Sequence, residues 1–217
     1  MTRISKDPDV RRREIMDIAR EMFHSRGYDR VSVDDIMRKA GVSKGLFYYY
    51  FKSKEEILDA IVDAVLDDDV EEVRSLAESR ELDALQKLRR LMRREPKDKG
   101  RDNEEDLLDY LHQPENSILH QKTLVRSVLR LSPLIASILE QGNAEGVFSV
   151  PYPKETAEFL LAATSFLYDP AIFGWSNEEL KVRCEALADI LAKTLGAPQG
   201  SFDFVKEAFG RANHGQG

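Results

Sequence analysis

Between Val31 and Lys54 the chain reads VSVDDIMRKAGVSKGLFYYYFKSK, and few folds accept such a stretch. Ser32 stands three residues before Asp35, an acidic version of the capping box, which predicts a helix start. Val33, Ile36, Met37 and Ala40 follow at i, i+3, i+4 and i+7, one buried face. Gly41 stops that helix where a left-handed residue is needed. Ser43 can cap a second helix two residues later, and Ser53 with Glu56 makes a full capping box for a third. Helices joined by so short a Gly-containing turn must cross steeply, the geometry of a helix-turn-helix.

The second of these helices does not read as a core helix. Phe47, Tyr50 and Phe51 can share an inward side, which leaves Lys44, Tyr48 and Tyr49 pointing outward with Lys52 and Lys54 close behind. Exposed tyrosines beside lysines suit a phosphate-lined groove, because hydroxyl and ammonium groups bond phosphate oxygens. Gly45 costs the helix about 1 kcal/mol relative to Ala. Without a side chain there, the backbone can approach another surface closely.

At these residues the chain resembles the TetR family of bacterial transcriptional regulators. GVSKGLFYYYFKSKEEIL, Gly41 to Leu58, is similar to that family's turn, recognition helix and entry to the fourth helix, and SVDDIMRKA fits its second helix. The resemblance implies that Ser43, Lys44, Gly45, Tyr48 and Tyr49 face DNA. It also implies that Lys54 and the amide ends at Ser32 and Val33 hold phosphates. Leu46 departs from the small residue common in the family, and it offers only apolar contact, such as to a thymine methyl.

Net charge is −7 over 217 residues, but the charge is unevenly placed. Residues 1–54 hold 13 Lys and Arg against 8 Asp and Glu, leaving 19 against 31 in the remainder. An acidic body with a basic N-terminal module presents one face to DNA and repels it elsewhere. Hydrophobic content of 42% with 33% charged residues reads as a globular protein. No run of 18 apolar residues occurs, so no membrane span is expected. The N-terminus lacks an apolar signal region, and the single cysteine, Cys184, cannot form an internal disulfide. A cytoplasmic location is the expectation.

Residues 1 to about 8 read as a disordered, basic arm, with Arg11, Arg12 and Arg13 opening the first helix; such an arm can follow a DNA backbone or fray in solvent. Ile15, Ile18, Ala19, Met22 and Phe23 form its apolar stripe, and Gly27 ends it. From Ser53 a helix of some 25 residues carries Ile57, Leu58, Ile61, Val65, Leu66, Val70, Val73 and Leu76. Its acidic run, Asp67 to Glu72, reads as a solvated face rather than a metal site. Further helices are expected at about 81–94, 103–112 and 117–141, with a charged loop at 93–103. In the longest of them, apolar residues from Leu124 to Leu139 cover more than one face, predicting burial on most sides. Pro133 predicts a kink or break there, with a cavity beside it. Two last helices, from Pro153 to about Tyr168 and from Asn177 to Leu195, can finish the core or supply half of a four-helix bundle with a second subunit. The family resemblance implies the dimer.

No phosphate loop, nucleophile elbow or zinc spacing is present, so no catalytic residue, metal ligand or cofactor is assigned. Tyr110, His120, Phe166, Tyr168 and Trp175 fall in segments expected around the cavity, where aromatic walls with polar tips suit a small, largely apolar effector. The expected fold is all-α. Residues 1–54 form a three-helix helix-turn-helix DNA-binding domain, and residues 55–217 form a larger helical domain for effector binding and dimerisation. The resemblance implies a repressor that binds a palindromic double-stranded operator as a homodimer and is released by an unidentified small-molecule effector. The alternative is a DNA-bound adaptor whose C-terminal domain recognises another protein.

Overall fold

A computed structural model of the chain describes residues 7–93 and 117–208. Every element among them is a helix: α1 (Pro8–Arg26), α2 (Val33–Ala40), α3 (Lys44–Tyr50), α4 (Lys54–Glu78), α5 (Ala84–Met92), α6 (Ser117–Ala144), α7 (Pro153–Leu167), α8 (Pro170–Phe173), α9 (Asn177–Leu195) and α10 (Phe204–Ala208). Described residues 7–67 with 117–126 form one compact unit, and 68–93 with 127–208 form another. The helix expected at 103–112 and the arm ahead of Asp7 lie outside the described residues.

The first unit closes over one apolar core. Ile15, Ala19, Met22 and Phe23 of α1 meet Ile36 of α2, Phe47 and Phe51 at α3, and Ile57, Leu58, Ile61 and Val62 of α4. Leu119 of α6 belongs to the same core, a contribution that the early sequence does not announce. Polar contacts fasten the helices: Lys39 Nζ pairs with Glu21 Oε2 at 2.9 Å, and Arg11 Nη2 donates to the Ala40 carbonyl at 3.3 Å. That second bond satisfies one of the carbonyls left unpaired at the end of α2. The Arg12 guanidinium lies 4.8 Å from the centre of the Phe51 ring. Arg11 and Arg12 therefore serve the fold, not a free basic arm.

The second unit is built around α6, α7 and α9. Ile135, Ile138 and Leu139 pack with Ala157, Leu187, Leu191 and Leu195, and Phe202, Phe204 and Val205 close one end of that core. Lys87 of α5, 2% exposed, is an unexpected member. Its ammonium donates to the Ala77 carbonyl at 2.6 Å and to Gln141 Oε1 at 2.7 Å. Gln141 in turn donates to the Leu82 carbonyl at 3.0 Å and to Glu145 Oε1 at 2.6 Å. Satisfied in this way, a buried cation is tolerated and ties the ends of α4, α5 and α6 together.

Two expectations need correction. α5 begins at Ala84, not near 81, because Asp83 and Gln86 form a reciprocal capping box that sets the start. α6 runs unbroken through Pro133 and on to Ala144. Pro133 and Leu129, whose carbonyl loses its usual i+4 donor, are both exposed, where solvent can satisfy that carbonyl without a break in the helix. As expected, α6 is covered on most sides, and the exposed Val125 and Leu129 fall on one stripe of four-residue spacing.

Candidate nucleic-acid interface

Local chemistry builds the turn between α2 and α3. Ser32 caps α2 by accepting from the Asp35 N–H at 3.1 Å, while the Ser32 N–H donates to Asp35 Oδ2 at 3.1 Å. The Ser32 hydroxyl donates to the same oxygen at 2.6 Å, and Arg38 also reaches this carboxylate. These hydrogen bonds, from the Ser32 hydroxyl and then its backbone amide, hold the Asp35 carboxyl below its ordinary pKa. Gly41 takes the left-handed conformation at φ 62°, and Val42 N–H returns to the Met37 carbonyl at 3.1 Å. Ser43 then caps α3, accepting from the Leu46 N–H at 3.3 Å.

α3 has two unlike faces. Phe47 and Phe51 are fully buried, their ring centres 6.3 Å apart. Lys44 and Gly45 are exposed, Tyr48 is 46% exposed and Tyr49 is 74% exposed. Leu46 and Tyr50 are half-buried, and Tyr50 meets Tyr49 edge-on at 5.0 Å. A Cβ placed on Gly45 would meet nothing within 4 Å, so packing within the chain gives no reason for this glycine.

Of the predicted phosphate contacts, Ser32 is already engaged in its capping box, while Val33 opens α2 and is half-buried. Lys54 opens α4. Its ammonium donates to the Tyr28 carbonyl at 2.9 Å and lies 4.0 Å from the Tyr28 ring centre. Tyr28 itself is pushed above the usual phenol range, first by burial and then by the Glu55 charge. The capping box expected at Ser53 is half formed. Ser53 accepts from the Glu56 N–H at 3.1 Å, but the Glu56 carboxylate accepts from the Lys52 N–H at 2.6 Å.

The expected effector residues divide. Tyr110 lies outside the described residues, and half-buried His120 belongs to the first unit. Phe166, Tyr168 and Trp175 gather in the second unit through two residues that periodicity does not single out, Phe173 and Arg183. Phe173 stacks on Trp175 at 4.9 Å and meets Phe166 edge-on at 5.3 Å, while the Arg183 guanidinium lies 3.4 Å from the Trp175 ring centre. Their polar tips are paired within the chain. Trp175 Nε1 donates to the Leu167 carbonyl at 2.8 Å and Tyr168 Oη to the Arg183 carbonyl at 2.8 Å. Burial above all pushes the Tyr168 phenol up to about 12, so it remains a donor at neutral pH. Cys184 is buried, and burial raises its thiol pKa. Among the described residues no group of His, Cys, Asp and Glu is placed to hold a metal ion, and no helix is long and apolar enough to cross a membrane.

A short helix-turn-helix with a polar, aromatic outer face, joined to a helical second unit, is the architecture of a bacterial DNA-binding regulator. The model for bacterial regulatory proteins of the tetR family matches residues 15–61, and that for the tetracyclin repressor-like C-terminal domain matches residues 100–190. The chain belongs to the TetR family. Its relatives include the A-factor receptor protein of Streptomyces griseus, 45% identical over 51 residues, which are 24% of this chain and 18% of that protein. HTH-type transcriptional repressor KstR2 of Mycobacterium tuberculosis is 37% identical over 67 residues, 31% of this chain and 34% of that one. These matches thus span about a third or less of the relatives' length. Among solved structures, SmeT, the repressor of the Stenotrophomonas maltophilia multidrug efflux pump SmeDEF, shares the fold with a TM-score of 0.57. That likeness covers 88% of this chain and 92% of SmeT at 22% identity.

Proposed function

We propose that this chain is a transcriptional repressor that binds a palindromic operator as a homodimer and releases it when a small, largely apolar effector binds the second unit. One observation carries the DNA part: α3 turns Lys44, Gly45, Tyr48 and Tyr49 outward, where they have no part in the core. Lys44, Tyr48 and Tyr49 read base edges and backbone in the major groove, and Leu46 supplies an apolar contact. Ser43, at the start of α3, lies beside phosphate, as do the Val33 amide and Lys54. Ser32 acts by capping the helix that presents Val33. The chain works in the cytoplasm, with the chromosome.

Support for the dimer comes from exposed apolar residues on α7 and α9. Phe159 and Phe166 lie seven residues apart on α7, and Val182 and Ile190 lie eight apart on α9; all four are exposed in the single chain. Such stripes suit a four-helix contact between two copies. A two-fold axis then sets the two recognition helices roughly 34 to 36 Å apart, the spacing of successive major grooves. An effector can act only by binding one spacing of the heads better than another. The likeness of fold to the SmeT–triclosan complex, at a TM-score of 0.55, supports a small-molecule occupant.

The adaptor reading is favoured by Val125 and Leu129, apolar and exposed on α6. Fluorescence anisotropy separates the two. The purified chain is titrated against the intergenic duplex beside its own gene at two salt concentrations, with random duplex as control. Salt-sensitive binding that greatly exceeds the control supports the operator reading; binding equal to the control leaves a general DNA anchor and favours the adaptor.

A further inference from the structure

The first unit includes residues from far down the chain, and their charges are arranged. Leu119 of α6 enters the core that holds Phe47 and Ile57. One turn later Lys122 Nζ lies 2.8 Å from Glu55 Oε1 and 2.8 Å from Asp59 Oδ1. A further turn on, Arg126 reaches Asp59 Oδ2 at 3.6 Å and Asp63 Oδ1 at 3.9 Å. The three carboxylates recur every four residues on α4 and the two cations every four on α6, so each cation falls between two carboxylates and Asp59 serves both. A lone surface pair does little, but a half-buried ladder anchored on a core leucine is geometrically constrained. Burial by itself would lower the pKa of the Lys122 ammonium; its hydrogen bonds to Asp59 and Glu55, with the attraction of their charges, outweigh it, and the pKa is raised.

We propose that Lys122 and Arg126 are positioning residues for DNA binding, holding the first turns of α4, and with them the recognition helix, in the arrangement that fits an operator. The inference rests on the DNA-binding reading above. α4 starts four residues after α3 ends, and its Ile57 and Leu58 share the core with Phe47, so a shift in these turns is carried to α3. Past Arg126 the same helix continues to Ala144, and its Ile138 and Leu139 are core residues of the second unit.

The test uses the full chain with Lys122→Gln and Arg126→Gln combined, its fold checked by circular dichroism. Two quantities are read: the ratio of affinity for the intergenic duplex to affinity for random duplex, and amide hydrogen exchange over residues 54–63. The ratio is used because a change in net charge alters both affinities together. The expected result is a ratio lower by about tenfold, the scale of coupling within one ion-pair network. Exchange over 54–63 should also be faster, with α9 unchanged. The Lys122→Arg variant, which keeps the charge, should retain the wild-type ratio. A doubly substituted chain with wild-type exchange over 54–63 overturns the proposal, whatever its ratio. So does faster exchange with an unchanged ratio, since the ladder would then hold α4 without positioning the head. Should the wild-type chain show no preference for the intergenic duplex, the operator reading fails by itself; exchange then decides the ladder, faster exchange supporting its hold on α4 and unchanged exchange removing it.

Discussion

The Lys54 ammonium sits 2.9 Å from the Tyr28 carbonyl oxygen and 4.0 Å from the centre of the Tyr28 ring. It therefore joins the start of α4 to the loop between α1 and α2. With three donors and one placed on the carbonyl, the ammonium still has hydrogens to offer a phosphate. Lys54→Ala should weaken binding to all DNA sequences alike and lower the slope of log affinity against log salt by about one unit. Losing the carbonyl bond and the ring contact should also destabilise the first unit by about 1 kcal/mol. Salt titrations by anisotropy and a urea melt measure the two effects. An unchanged slope would take Lys54 off the phosphate and leave it the structural part alone.

Gly45 separates stability from binding. Its position in α3 is helical and open, so Gly45→Ala should stabilise the free chain by up to about 1 kcal/mol through helix propensity. If, as proposed, the backbone at Gly45 approaches the duplex, the same methyl group should weaken DNA binding. Thermal unfolding and anisotropy on one preparation test both signs. A more stable variant with undiminished binding would show that nothing comes close to Gly45.

The capping box of α2 makes a pH prediction. Asp35 has a depressed carboxyl pKa because the Ser32 hydroxyl and amide bond its charged form. A folded-state value below the unfolded one means that its stabilisation is present above the ordinary value of 3.8 and is lost as pH falls through the depressed value. In the Ser32→Ala variant the Asp35 resonance should titrate at higher pH, and the acid limb of the stability curve should flatten. NMR titration of the side-chain carboxyl reads this directly; coincident titration curves would contradict it.

Phe159 is 68% exposed on α7, and Ile190 is exposed on α9. If these stripes meet a second copy, Phe159→Glu with Ile190→Glu should convert a dimer into a monomer whose helix content is unchanged. Burying an unpaired carboxylate in an apolar contact costs several kcal/mol, roughly enough to dissociate a micromolar dimer. Light scattering after size exclusion gives the mass. A variant that stays dimeric places the contact elsewhere.

Much of the architecture is legible because it depends on residues within a turn of one another. Gly41 and Gly196 end α2 and α9 in the left-handed conformation, and Ser32, Ser43 and Ser176 cap the helices that follow them. The stripe Ile15, Ala19, Met22 and Phe23 is buried as its spacing predicts. Periodicity is silent about what covers a stripe, however. Val125 and Leu129 carry the same signal as Ile135 and Ile138, yet the first two are exposed and the last two are core.

The amino-acid sequence alone determined the helices, most of their caps, the Gly41 turn between α2 and α3 and the outward tyrosines of α3, since each follows from hydrogen bonds or side-chain spacing over about four residues. The tertiary structure decided the destinations of the long cations. Arg11 goes to the Ala40 carbonyl, Lys54 to Tyr28, Lys87 to Ala77 and Gln141, and Lys122 to Glu55 and Asp59. A flexible charged side chain carries no periodic signal. Its partner is whichever distant carbonyl or carboxylate packing brings near and leaves in need of a donor.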